Sequence, residues 1–253
     1  MNFPSKISAV IITKNEEQNI ARCLASLLSI VEEVVIVDAF SSDRTVEIAQ
    51  KLGAKVTQKN WRGYSQNKNF GNNLAQNDWI LSIDADEVLS PTLIANIQKQ
   101  SLKEQEVYSF NRLTNYCGQW IKYSNWHPDW NVRLFHRKYA VWKGDFVHER
   151  LTFPKSISIV QLNGLLHHYS YQSSEDHWRR IEKYAQLSAQ QLFQDGKKAT
   201  FTKLWLSPIA RFLTTYFLKR GFLDGRAGWT ISMRNAYLVN RKYRLLQQMQ
   251  TKS

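Results

Sequence analysis

Three uninterrupted apolar runs of strand length, each closing on polar or acidic residues, constrain this chain more than any other feature. "ISAVIIT" at 7–13, "EVVIVD" at 33–38 and "DWILSID" at 78–84 lack the alternation of a half-exposed strand. Such runs mark strands covered on both faces. Between them Ile20, Leu24, Leu27 and Leu28 recur at helical spacing. "SSDRTVEIAQKLG" carries a Ser/Asp start and a glycine stop at Gly53. "AKVTQ" reads as a short strand and "YSQNKNFGNNLAQ" as a further helix. Strand–helix repeats this short predict parallel strands joined by right-handed crossovers, an α/β arrangement over residues 1–90.

The polar residues of this half stand just past the strand ends: Thr13 to Glu17, Asp38 to Asp43, and Asp84, Asp86 and Glu87. In an open parallel sheet that edge is where ligands bind, so the three groups are expected to converge. Three acids closing a buried strand need a cation or hydrogen-bond donors. In "DAD" one carboxylate can take a hydroxyl while the other takes a divalent ion, Mg²⁺ or Mn²⁺, that also holds phosphate oxygens. The plain alternative is a solvated turn, with Asp86 and Glu87 as helix-start acids ahead of "SPTLIANIQ". A single D-x-D would favour that alternative; three acidic strand ends in one half favour a site.

Beyond Pro91 the rhythm changes. "EVYSFNRLTNY" and "NVRLFHRK" read as strands of a mixed sheet, joined by the aromatic loop "CGQWIKYSNWHPDW". Two short strands are expected at "SISIV" and "GLLHHYS", then a long helix from "SSEDHW", where Ser173 and Asp176 resemble a capping box. Residues 1–196 are expected to form one domain, 91–196 being its second half, with 197–253 a helical tail broken near Pro208 and 221–228. That tail holds twelve basic residues against one acid, Asp224, and so carries all but two of the chain's thirteen net positive charges. Any anionic partner therefore meets the tail. Its apolar and aromatic content suits the surface of an anionic membrane, and no nucleic-acid module is evident. No apolar run reaches the roughly 20 residues of a membrane span, and the early run at 7–12 is too short for a signal peptide. Cys23 and Cys117 form no metal or disulfide framework. The plain alternative for the tail is a C-terminal helix packed on the rest of the chain with a solvated basic face; the expectation is a cytoplasmic protein held peripherally at the inner membrane face.

"AVIITKNEEQNI", "VVIVDAFSSDRTVEIA" and "WILSIDADEVLSP", in that order, resemble the nucleotide-sugar-binding half of a family 2 glycosyltransferase. "WKGDFVHERL", "LLHHYSY" and the basic end resemble the bacterial lipopolysaccharide-core glucosyltransferase branch of that family. The resemblance implies a GT-A fold with a mixed central sheet and an inverting transfer from a nucleoside diphosphate sugar, UDP-glucose being favoured. It also implies a divalent cation and a lipid-linked glycan acceptor such as an inner-core heptose. On this resemblance the nucleotide sugar meets the strand end at Thr13, with Glu16 or Glu17 and Asp38 at the nucleoside, Asp38 facing uracil. Asp84 would lie near the ribose and sugar, and Asp86 would ligate the metal. Lys68 would meet the base or diphosphate, unless it is an ordinary solvated helix lysine.

An inverting transfer needs a general base for the acceptor hydroxyl. The acidic pair the family often uses is matched only by Glu175–Asp176, which reads as a helix cap. Glu149 in "FVHER" is the candidate base and Asp145 the reserve; the plain alternative is an ion pair between Glu149 and Arg150. His167 or His168 could complete the metal site with a neutral imidazole, and the residues do not choose between them. Trp120, Trp126, Trp130 and Trp142 offer faces for sugar stacking, or simply a core. Two other functions remain open. A nucleotidyltransferase would need a glycine-rich basic phosphate loop after the first strand, which "TKNEEQN" lacks. A non-catalytic peripheral membrane protein would explain the tail alone and would tolerate Asp86→Ala.

Overall fold

Strand β1 (Ile7–Thr13) is buried at every position, and the two cores of the sheet meet on it. Ile11 faces Ile20, Leu24 and Leu27 of helix α1 (Ile20–Leu27), together with Ile36 and Leu81. Val10 faces the opposite way, toward Val35, Ile80, Phe135 and Trp142. Apolar cover on both sides is why these strands show no polar alternation. The computed structural model describes residues 6–144 and 149–252. They fall into two units, one formed by 1–112 with 129–169 and the other by 113–128 with 170–253.

In the first unit β2 (Glu33–Asp38), α2 (Thr45–Lys51), β3 (Lys55–Gln58), α3 (Tyr64–Leu74) and β4 (Trp79–Ser82) complete the alternating half. β1, β2, β3 and β4 are parallel, with Thr13 beside Asp38, Asp38 beside Gln58, and Val10 beside Ser82. The short β5 (Glu87–Leu89) and helix α4 (Pro91–Lys99) follow. Next come β6 (Glu106–Tyr116), β7 (Gln119–Trp120), β8 (Trp130–His136), β9 (Val141–Lys143), β10 (Arg150–Thr152) and β11 (Ser158–Tyr171). Among the described residues the main sheet runs β3-β2-β1-β4-β8-β6-β11-β5, with β7 on β6 and a separate β9–β10 pair. β8 lies antiparallel to β4 and β11 antiparallel to β5, so the sheet is mixed. The fold is α/β of the GT-A type.

The two short strands expected at "SISIV" and "GLLHHYS" are one fourteen-residue strand, β11. Gly164 interrupts its pattern without ending it. This glycine sits at φ +114°, and a Cβ there would come within 2.5 Å of the Leu93 backbone nitrogen. Only glycine lets the strand pass α4 this closely.

The second unit contains the 113–128 segment, α5 (Ser174–Gln194), α6 (Phe201–Leu213) and α7 (Gly225–Lys252). α5 starts as the sequence suggests, Ser173 Oγ accepting the Asp176 amide at 3.1 Å. The compact unit begins well before 197 because α5 is committed to α7. Arg241 Nε reaches Glu182 at 3.0 Å, and the Trp178 and Tyr237 rings meet edge-on at 5.0 Å. Pro208 does not break α6. Its missing N–H would orphan the Leu204 carbonyl, but the Asn240 side-chain amide donates to that oxygen at 2.8 Å.

A buried aromatic cluster surrounds His177. Its Nδ1 lies 3.1 Å from the Tyr116 hydroxyl and its ring 4.7 Å from Tyr171 and 6.2 Å from Trp126. Arg234 donates to the same hydroxyl at 2.6 Å. Burial, then the charges of Arg234 and Arg180, push the imidazole down to about 4. A folded pKa below the unfolded value means the neutral ring stabilises the fold above about pH 6.5, and that stability is lost as pH falls toward 4. Partial solvent screening leaves roughly 2 kcal/mol of this linkage. Urea titrations at pH 7 and pH 4.5 are expected to show a stability drop smaller by that amount in His177→Gln than in the parent; equal drops would remove His177 as the cause.

Candidate active site

The three polar strand ends lie side by side along one sheet edge, as the parallel pairing of β2, β1 and β4 requires. Two of them are stitched together. The Asn15 amide donates to Ser41 Oγ at 2.8 Å, the Ser42 amide to Asn15 Oδ1 at 2.8 Å, and the Glu17 amide to Asp43 Oδ2 at 3.1 Å. Asp38 is fully buried beneath them. Its carboxylate accepts from Thr13 Oγ1 at 3.0 Å, the Ser41 amide at 2.9 Å, the Ser41 hydroxyl at 2.5 Å and Gln58 at 3.3 Å. Thr13 and Asp38 therefore brace the loop above them from within. Glu16 accepts from Asn19 Nδ2 at 2.7 Å, and Glu17 accepts the Arg44 amide at 3.1 Å.

The third strand end holds a buried ionic network. Asp84 Oδ1 pairs with Lys68 Nζ at 3.0 Å, and Arg133 donates to Asp84 Oδ2 at 2.7 Å. The same guanidinium donates to Glu87 Oε1 at 2.5 Å, and Glu87 Oε2 accepts the Asp84 amide at 3.1 Å. Arg112 approaches Glu87 at 3.6 Å while pairing with Asp129 at 2.7 Å. Burial alone would raise the Asp84 carboxyl, but Arg133 and Lys68 hold it well below the usual carboxylate range. The Arg133 guanidinium is correspondingly held firmly charged. Lys68 is not a solvated lysine: it is 3 % exposed and its ammonium lies 4.5 Å over the Trp142 ring.

Asp86 faces elsewhere. Its Oδ2 lies 3.2 Å from His168 Nε2, because the β5–β11 register sets His168 opposite Glu87. Of the histidine doublet, His168 is thus the one brought to Asp86; His167 lies opposite Val88, and burial lowers its pKa. Among the described residues no three His, Cys, Asp or Glu side chains gather as a metal cage. One carboxylate and one imidazole nevertheless suit a divalent ion that takes its remaining ligands from substrate phosphates and water.

A cavity of about 340 Å³ opens over this network, walled by Lys68, Asp84, Arg112, Arg133, Trp130, Trp142 and Glu149. Trp130 is 39 % exposed and Trp142 buried, while Trp126 belongs to the aromatic cluster of the second unit. Asp145 lies outside the described residues. Sequence reasoning did not single out Arg133, Arg112 or Glu87's buried role. The signal for Arg133 was its two-residue offset from Phe135 in β8, which puts an arginine on a core-facing side of the strand.

Comparison with known proteins follows the same lines. The model of "Glycosyl transferase family 2" matches residues 8–157, which include the parallel half from Ser8 onward, the acidic strand end and the cavity wall through Glu149. An uncharacterized glycosyltransferase of Rickettsia typhi is 34% identical over 98% of this chain and 89% of its own length. The lipopolysaccharide core biosynthesis glycosyltransferase LpsC of Rhizobium meliloti is 28% identical over 91% of this chain and 87% of its own. Among solved structures, the mannosyltransferase PcManGT of Pyrobaculum calidifontis, in complex with GDP-Man and Mn²⁺, aligns with a TM-score of 0.50 at 13% identity, covering 98% of this chain and 76% of that one. The sheet order, the acids gathered at its ligand-binding edge and these matches lead to one assignment: the chain belongs to glycosyltransferase family 2.

Proposed function

We propose that the protein transfers glucose, with inversion, from UDP-glucose to a lipid-linked glycan of the lipopolysaccharide inner core. The observation that carries this reading is the shared cavity, which brings Glu149 to the same walls as Lys68 and Asp84 at the sheet edge. The stitched loops 13–17 and 38–45 would cradle the nucleoside. Asp84, fixed in its charged form by Arg133 and Lys68, would accept hydrogen bonds from ribose or sugar hydroxyls. Lys68 would offset the charge of the diphosphate. Asp86 and His168 would hold a Mn²⁺ or Mg²⁺ ion, which when bound supplies Lewis-acid neutralisation of the leaving diphosphate.

Glu149 would take the proton of the acceptor hydroxyl as that oxygen forms its bond to the anomeric carbon. The bond from that carbon to the diphosphate oxygen breaks on the opposite face, and the electron pair leaves with the nucleotide. Trp130 would stack on the acceptor sugar. Asp145 stands as the reserve base. The LpsC relative supports a core-glycan acceptor. Among the described residues no helix is long and apolar enough to cross a membrane.

A thermal-shift panel of UDP, GDP, CDP and dTDP sugars, each with and without Mn²⁺, tests the donor. UDP-glucose with Mn²⁺ is expected to stabilise the protein by ~2.7 kcal/mol at a hundred times Kd. Preference for another nucleotide would replace the donor, and indifference to every sugar nucleotide under any cation would end the reading.

A further inference from the structure

In the second unit, the turn leading from α6 to α7 reads Phe217, Leu218, Lys219, Arg220, Gly221, Phe222, Leu223: an apolar pair on each side of a cationic pair. Leu218 is 77 % exposed, and Phe217, Phe222 and Leu223 are each about half exposed. Lys219 and Arg220 are exposed as well. The same surface continues on α6, where Phe201, Trp205, Leu206, Ile209 and Leu213 all face solvent. At about 100° per residue these five fall within an arc of roughly 140°, a single apolar face.

The tip is built rather than loose. Phe212, Tyr216 and Trp229 pack ring to ring at 5.2 to 5.4 Å behind it. Gly228 lies so close to the Gly221 carbonyl that a Cβ would stand 1.8 Å from its oxygen. Asp224 accepts from the Lys122 and Tyr123 amides at 3.0 and 3.1 Å and from Ser124 Oγ at 2.9 Å. A rigid mount for exposed leucine and phenylalanine is costly in water and calls for an occupant.

The charges say which. Asp224 is the only acid after residue 196 and is 3 % exposed, so every side-chain charge this region presents to solvent is positive. Aromatic and aliphatic side chains interleaved with Lys and Arg match the boundary between acyl chains and anionic headgroups. We propose that this face docks on an anionic lipid bilayer, with Phe217, Leu218, Phe222 and Leu223 entering the interface and Lys219 and Arg220 at the headgroup phosphates. The proposal stands on the second unit alone and does not depend on the donor or acceptor named above.

The full chain is spun with vesicles of phosphatidylcholine plus phosphatidylglycerol and with vesicles of phosphatidylcholine alone. Wild type is expected to sediment with the anionic vesicles, less with the neutral ones, and less in high salt. Each basic side chain near such a surface is worth about fivefold in partition. Lys219→Glu/Arg220→Glu and Leu218→Ser/Leu223→Ser should therefore each lower it at least tenfold, with parental circular dichroism and melting temperature. Absence of wild-type sedimentation, or sedimentation of both variants like wild type, overturns the proposal. So does an oligomer in solution that Leu218→Ser/Leu223→Ser disperses without changing vesicle partition, which would make a second copy the occupant.

Discussion

Asp86→Ala is expected to lower sugar transfer about 10³-fold while leaving the melting temperature within a few degrees of the parent. The rate effect would follow from losing the carboxylate half of the proposed ion site, whose other half is His168 at 3.2 Å. Neutralising a departing diphosphate is worth several kcal/mol, and each 1.36 kcal/mol is tenfold in rate. The backbone contact of this residue survives the substitution: the Asp86 carbonyl accepts the Tyr169 amide at 2.8 Å, which alanine retains. Steady-state rates at saturating Mn²⁺ and titrations of nucleotide with and without the ion provide the check. Nucleotide affinity should fall in the variant only when Mn²⁺ is present. A variant within threefold of wild-type turnover would mean that Asp86 holds no ion that matters to the reaction.

Arg133→Leu acts on stability instead, with an expected loss of roughly 3–5 kcal/mol. Arg133 is 4 % exposed and neutralises two carboxylates at once, one of them on the fully buried Glu87. Leucine fills part of the volume but leaves Glu87 with the Asp84 amide at 3.1 Å and, as its cation among the described residues, Arg112 at 3.6 Å. An uncompensated buried charge is what makes breaking such a network expensive, whereas replacing the whole network by apolar groups is far milder. Arg133→Leu/Glu87→Leu should therefore be more stable than Arg133→Leu alone, in urea unfolding at pH 7. If the double variant is the weaker of the two, the destabilisation comes from packing and not from stranded charge.

The alternating half was legible because its strands are covered on both faces, and nothing but an apolar run serves there. The convergence of Thr13–Glu17, Asp38–Asp43 and Asp84–Glu87 followed from parallel pairing alone. Other features needed contacts that local pattern does not carry. α3 looks solvated because Ser65, Asn67, Lys68 and Asn72 are polar, yet all four are buried. Lys68 finds its counter-charge on Asp84, sixteen residues away on another element. The choice between His167 and His168 is a matter of β5–β11 register, and neighbouring residues on a strand point to opposite sides. Pro208 reads as a helix breaker until Asn240 is seen to take its place in the hydrogen-bond ladder.

The bond from Asp224 to the backbone at Lys122 spans 102 residues of chain. On a ribosome the stretch near residue 122 emerges long before its acceptor has been translated, so its final shape waits for nearly the whole polypeptide. Shortened versions ending at residue 196 would leave two amides and a hydroxyl with no carboxylate to receive them, and the damage of such a deletion would surface far upstream of the cut.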